Sequence, residues 1–367
     1  METAVNILDL PFLVLDEIFK HLDEWDKWSL AVAHDYLGKA FACHIKDAYA
    51  TVTLHYNSDW FLERILPLCG SKILHIDLED NFNNFIILDQ LINDCFDNLQ
   101  SINITVDDQE VEYIKRYLLH GKKFQTLRVR INASSSNFSK LVNSFLKLGN
   151  LKELHIKDAD CRIGNLIRRF TYLEDLQLDF GPFQFRLNIY DVLLPLKNLR
   201  KVKIVGLGQM PQLPTTEMFG ALESFCICNS IICQIDLPVC PKLKQIGFWS
   251  NFCPSSILFK WIFDHATTLE KVSIAVEGLN KDNIFEIIKK CKFLRDFHLK
   301  MEIESFISKE FVGKVNDILK SNGYTSEKPI VLVLPNKSFE RVEQIVGGKK
   351  FDCINFLNSM FYWENRN

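Results

Sequence analysis

The sequence predicts an α/β chain: a small all-α segment at the N-terminus, followed by a curved solenoid whose parallel strands line its concave face. Three observations carry this. One short apolar phrase returns at a nearly constant spacing from Ile73 onward, stretches of helical apolar periodicity lie between its copies, and residues 9 to 41 stand outside that repeat.

The phrase is an apolar residue, two variable ones, an apolar one, one variable, and a last apolar one. It begins at Ile73 (ILHIDL), Leu99 (LQSINI), Phe124 (FQTLRV), Leu151 (LKELHI), Leu173 (LEDLQL), Leu199 (LRKVKI), Leu222 (LESFCI), Leu243 (LKQIGF), Leu269 (LEKVSI) and Leu294 (LRDFHL). Successive starts are 21 to 27 residues apart, inside the window of about 20 to 29 residues for leucine-rich repeats. Tyr49–Leu54 reads as a degenerate first copy and Pro329–Leu334 as a terminal one, giving about 10 to 12 repeats.

The end of each phrase alternates with period two, as a short half-buried strand must. Helix-like stretches follow at Phe85–Cys95, Glu110–Leu119, Phe138–Leu148, Ile257–His265, Asn283–Cys291 and Glu310–Leu319. Strand and helix in alternation give parallel strands joined by right-handed crossovers, and the greater width of helices curves the stack. Leucine-rich repeats usually carry Asn or Cys three residues after the phrase. Asn81, Asn132 and Asn251 fit, whereas Ala159, Gly181 and Leu207 do not. Residues 181–221, rich in Gly and Pro, are expected to be the least regular part and poor in helix.

In residues 9 to 41, Leu10-Pro11 opens a helix with Pro11 at its first position and Asp9 as N-cap. Val14, Leu15, Ile18, Phe19 and Leu22 then share one broad face, opposite Asp16, Glu17, Lys20 and His21. A second helical pattern runs through Leu30, Ala33 and Leu37 to Phe41. So short a segment cannot enclose its own core, since domains below about 40 residues need other support. The order LPxxVLxEIFxxL, followed by Asp26, Leu30 and Leu37, resembles the F-box, the motif that docks a protein onto the Skp-family adaptor of cullin-RING ubiquitin ligases. Its second half departs from the family, with Ala33-His34 for the usual Val-Cys and Leu37 for Trp. The same helices also fit a plain cap of the repeat array.

The division expected is 6–46 for the F-box helices, 47–335 for the solenoid and 336–367 for a C-terminal capping segment. A hydrophobic content of 47% excludes disorder as the main state. A net charge of -3 gives no electrostatic reason to expect nucleic acid. No apolar run is long enough to span a membrane, and METAVNILDL lacks the basic region of a signal peptide. A cytoplasmic or nuclear chain with 11 reduced cysteines is therefore expected.

Candidate chemistry lies on the variable strand positions. These place His75, Asp77, Ser101, Asn103, Arg128, Arg130, His155, Lys157, Lys203, Cys226, Cys228, Trp249, Lys271, His298 and Lys300 on one side of the sheet. Signs alternate, which suits a polypeptide surface better than a uniformly charged polymer. Arg128, Arg130, His155, Lys157, Lys203 and Trp249 are the candidates for substrate contact, with Trp249, Arg128 and Arg130 foremost because Trp and Arg dominate binding hot spots. Cys226-x-Cys228, with Cys233 and Cys240, lacks the paired C-x-x-C spacing of a zinc site. No metal, cofactor or catalytic group is expected. By resemblance the chain is a non-catalytic substrate receptor of an SCF-type ligase, with the Skp-family adaptor and cullin scaffold as partners. Leu10, Pro11, Val14, Leu15, Ile18, Phe19, Leu22 and Leu30 would be its adaptor contacts. The alternative is a leucine-rich-repeat scaffold capped by its own N-terminal helices.

Overall fold

In the computed structural model the described residues are 6–45, 50–54, 61–78, 94–95, 97–118, 123–132, 135–159, 163–181, 188–208, 218–228, 238–250, 255–276, 278–347, 351 and 353–359. The chain divides into two compact units, Met1–Lys157 and Asp158–Asn367.

The first unit begins with helices α1 (Phe12–His21), α2 (Glu24–Val32) and α3 (Asp35–His44). Asp9 is not the N-cap of α1: it ends a 3-10 turn, Ile7–Asp9, and Pro11 holds the capping position. With ψ at 152° Pro11 stays outside the helix, while its carbonyl accepts from the amides of Val14 and Leu15 at 2.9 and 3.1 Å. Asp23 caps α2 by accepting from the Asp26 amide at 2.8 Å, and His34 Nδ1 caps α3 by accepting from Tyr36. Leu15 and Phe19 are fully buried, the Phe19 ring lying 5.5 Å from Phe41 and 5.3 Å from His44. His44 Nδ1 meets Asp16 Oδ1 at 2.8 Å, and this bond, with Lys20, holds the Asp16 carboxyl below its usual value. Helix α4 (Leu66–Cys69) follows. A Cβ on Gly38 of α3 would lie 2.9 Å from Leu68 and 3.2 Å from the Ala31 carbonyl, so the absent side chain lets α3 seat against the first repeat.

Strands β1 (Thr51–Leu54), β2 (His75–Leu78), β3 (Ser101–Asp107), β4 (Thr126–Asn132) and β5 (Glu153–Lys157) pair in parallel and in chain order. Helices α5 (Val111–Leu118) and α6 (Ser135–Phe145) make the crossovers after β3 and β4. The expected helix Phe85–Cys95 lies mostly outside the described residues. The row Val52, Ile76, Ile102, Leu127 and Leu154 runs through the core. Each such buried aliphatic chain contributes about 1.5–3 kcal/mol.

The second unit continues the architecture with β6 (Asp175–Asp179), β7 (Lys201–Val205), β8 (Ser224–Cys228), β9 (Gln245–Ser250), β10 (Lys271–Val276), β11 (Asp296–Leu299), β12 (Ile330–Leu334) and β13 (Ile354–Asn358). All neighbours are parallel. Its helices are α7 (Ile163–Ile167), α8 (Ile189–Leu193), α9 (Ser255–Asp264), α10 (Lys281–Lys290), α11 (Lys309–Ser321) and α12 (Asn336–Val346). Among the described residues no helix joins β7 to β8 or β8 to β9. Pro329–Leu334 is not the terminal copy, because the segment expected to be a cap supplies α12 and β13, with Leu332 in register with Phe356.

The core of this unit is aromatic. Trp261 of α9 packs edge-on against Phe225 and Phe248 at 5.4 and 5.6 Å and donates its indole N–H to the Pro238 carbonyl at 2.7 Å. His265 is buried there as a neutral ring: Nε2 accepts from the Cys240 amide at 2.9 Å while Nδ1 donates to the Trp261 carbonyl at 2.8 Å. Gly206, after β7, has φ at +73° and abuts the Gly181 carbonyl, so no side chain fits.

Among the described residues two asparagines placed just before the phrase reach a carbonyl of the preceding repeat. Asn98 Nδ2 donates to the Ser71 carbonyl at 2.9 Å in the first unit, and Asn198 Nδ2 to the Thr171 carbonyl at 3.1 Å in the second. Of the positions expected to do this, Asn132 is the last residue of β4. Asn81 and Asn251 lie outside the described residues.

Candidate recognition face

Between the buried residues of each strand, the alternate side chains project from the other side of the sheet, the ladder face. The register sets which of them become neighbours. In the first unit Asn103, Arg128 and His155 form one rung-to-rung row, and Thr105, Arg130 and Lys157 the next. Neighbouring strands are about 4.8 Å apart, so Arg128, Arg130 and Lys157 concentrate positive charge. Arg128 and Lys157 are exposed, Arg130 and His155 half-buried. Adjacent rungs are tied by side chains: Asn103 Nδ2 donates to Asp77 at 2.8 Å, His75 meets Ser101 at 3.0 Å, and Thr126 donates to Glu153 at 3.1 Å.

In the second unit one row reads Gln177, Lys203, Cys226, Gly247, Ser273 and His298. The next reads Asp179, Val205, Cys228, Trp249 and Ala275. Lys203 and Trp249, picked out by the sequence, thus flank the thiol pair. Cys226 and Cys228 have their sulfurs 3.7 Å apart. Trp249 Nε1 donates to Ser273 Oγ at 3.1 Å, and Lys300 Nζ sits 3.5 Å over the Trp249 ring, a cation–π contact. Gly247, missed by sequence reasoning, makes this packing possible: a Cβ there would stand 2.6 Å from Cys226 Sγ.

The electrostatics follow from these contacts. The hydrogen bond between the two sulfurs holds the Cys226 thiol below its ordinary value, aided by Lys203, Lys300 and Lys271. The same contact and burial push Cys228 up. Burial lowers Lys300. Cys240 lies away from the pair, buried with its thiol 3.6 Å from the Pro238 carbonyl. Among the described residues no three His, Cys, Asp or Glu side chains converge as metal ligands would.

A second concavity of about 440 Å³ lies where strands β8 to β11 begin, lined among others by Glu223, Lys244, Glu270, Phe293 and Arg295. Its two carboxylates are paired: Arg200 and Lys244 meet Glu223 at 2.6 and 3.2 Å, and Arg295 meets Glu270 at 3.6 Å.

The eight N-terminal candidates separate by exposure. Leu15 and Phe19 are interior, Leu10, Ile18, Leu22 and Leu30 half-buried, and Pro11 and Val14 exposed. Two apolar residues that the motif reading passed over are more exposed still, Leu13 at 82% and Trp25 at 66%.

Both units are α/β leucine-rich-repeat arrays, in which parallel strands pair in chain order and buried apolar rows stack beneath a polar ladder. No family model matches the sequence, and no curated protein matches it. Among solved structures the chain is similar to an internalin (inlF) from Listeria monocytogenes str. 4b F2365. Identity there is 12% over 65% of this chain and 77% of that one, with a TM-score of 0.33. It is also similar to TLR13 in a TLR13–ssRNA13 complex, at 11% identity over 84% of this chain and 56% of that one, with a TM-score of 0.36. No helix among the described residues is long and apolar enough to cross a membrane.

Proposed function

We propose that the chain is a protein-interaction subunit, and specifically the substrate receptor of an SCF-type ubiquitin ligase. On this reading α1–α3 dock to a Skp-family adaptor carried by a cullin, and the ladder face holds a target protein. The reaction is then left to a recruited conjugating enzyme, and the receptor acts by raising the effective concentration of target near it. Support comes from the F-box-like order of residues 10 to 22, together with one structural observation. Helix α1 turns Leu15 and Phe19 inward yet leaves Leu13 82% and Val14 43% exposed, an apolar surface that water disfavours and a partner would cover.

Co-expression with a Skp-family adaptor tests this. The double variant Leu13→Asp, Val14→Asp changes only exposed side chains, so it keeps the wild-type melting temperature and loses adaptor co-purification. Retained adaptor would sink the docking assignment. The seating of Leu68 against Gly38 favours a second reading, in which α1–α3 only cap the array. Under it the full chain purifies as a soluble monomer without adaptor, and removal of residues 1–45 causes aggregation.

A further inference from the structure

Docking and target recognition leave the thiols of β8 without a role. Cys226 and Cys228 are two residues apart on a strand, so both side chains leave the same face, and their sulfurs approach to 3.7 Å. Cys228 is 4% exposed, whereas Cys226 is only half-buried. Lys203 is the cross-strand neighbour of Cys226 on β7, and Gly247 its neighbour on β9. Trp249, beside Cys228, carries the Lys300 ammonium on its ring. Nearby cations and a thiol hydrogen-bond partner are the surroundings in which a cysteine becomes a reactive thiolate. Burial instead pushes the thiols of Cys69 and Cys291 up to about 12. The same lysines repel a metal cation, which turns the pair toward redox chemistry rather than soft-metal binding.

We infer that Cys226 is a site of reaction with small hydroperoxides, hydrogen peroxide being the simplest, and that Cys228 resolves the product into an intrastrand disulfide. In the first step the Cys226 thiolate attacks one peroxide oxygen. An S–O bond forms and the O–O bond breaks. The departing hydroxide takes a proton and leaves as water, and the sulfur is oxidised to a sulfenic acid as the peroxide is reduced. In the second step the Cys228 sulfur attacks that of Cys226. The S–S bond forms, the S–O bond breaks, and the hydroxyl leaves with the Cys228 proton as water. With hydrogen peroxide, two thiols and one peroxide become one disulfide and two waters; an organic hydroperoxide leaves its alcohol in place of the first water. Residues two apart on a strand have Cα atoms about 6.6–6.8 Å apart, at the long end of the roughly 4.4–6.8 Å that a disulfide spans. The bridge must therefore draw β8 shorter, and a distorted disulfide is the more readily reduced, which makes the modification reversible.

The experiment treats the full chain with a small excess of hydrogen peroxide, blocks remaining thiols by alkylation and maps peptides by mass spectrometry. The wild type loses two hydrogens, with the bridge mapped between Cys226 and Cys228. Cys228→Ser stops at a Cys226 sulfenic acid that dimedone traps. Cys43, exposed on α3, is the internal reference, and Cys226 oxidises at least about tenfold faster. Lys203→Gln, a change on the open face that spares the core, slows Cys226 by about threefold or more. It carries the test should Cys228→Ser fail to fold. Oxidation of Cys226 no faster than that of Cys43, a bridge to Cys233 or between chains, or no effect of Lys203→Gln would overturn the inference.

Discussion

The ladder face of β3–β5 and that of β8–β11 are built on one register yet present different surfaces. On β3–β5 Arg128 and Lys157 stand in water beside rungs tied by hydrogen bonds. On β8–β11 two polar residues of the same face, Ser273 and His298, are only 3% and 1% exposed. The cause is local. Gly247 lets Cys226 lean across the strand, Trp249 reaches over to Ser273, and Lys300 lies on Trp249. Period two decides which side a residue faces, and the sizes of its neighbours on adjacent rungs decide whether it stays wet.

The strongest challenge to that contrast is Gly247→Val. It places a Cβ against the Cys226 sulfur, so urea denaturation should show a loss of about 1–3 kcal/mol from overpacking. Arg128→Ala, on the open ladder, should cost less than about 0.5 kcal/mol and weaken target binding instead. Equal losses would erase the distinction. Trp249→Phe comes next: it leaves Ser273 without its indole donor and removes part of the Lys300 contact, for about 1–2 kcal/mol. Asn103→Ala loses the bond to Asp77 and should cost about 0.5–1.5 kcal/mol.

The smallest effect is one of pH. Burial lowers Lys300 from its ordinary 10.5, so the folded state binds this proton less tightly than the unfolded chain does. The ammonium's cost is full below the folded value and is relieved as pH rises toward the unfolded one, so stability climbs in the window just under 10.5. In a Cys226→Ser, Cys228→Ser background, which removes both neighbouring thiols, Lys300→Met should flatten that rise. A slope that survives would mean that Lys300 is not the group responsible.

Much of the fold was legible because its signals are local. The strands His75–Leu78 and Asp296–Leu299 fall on their phrases, since apolar alternation is a direct record of which atoms leave water. Helices such as Lys281–Lys290 lie within two residues of their predicted bounds. Strand Ile354–Asn358 was not legible: INFLN lacks the leucine lead-in and is recruited by pairing with β12. Nor was the cap of α1, where Asp9 has the right chemistry but Pro11 already supplies the carbonyl that starts the helix. At the recognition face the side of each residue could be read, whereas the partnership of Lys203, Cys226, Gly247 and Trp249 depends on register, which no single strand encodes. The asparagines show the same limit, since Asn98 and Asn198 matter for the carbonyl one repeat earlier.

The strict chain-order pairing of the second unit also has a mechanical consequence. Among the described residues each strand from β7 to β12 is bonded to its predecessor and its successor, so a pull on the C-terminal end peels rungs singly rather than shearing the sheet at once. β13 must go first, and β12, β11, β10 and β9 must follow before β8 is freed. Cys353, Cys291 and Cys228 are all buried at rest and lie at successive depths along that route. The order in which they take up a thiol reagent under load would then be a ruler for how far the unit has been unwound.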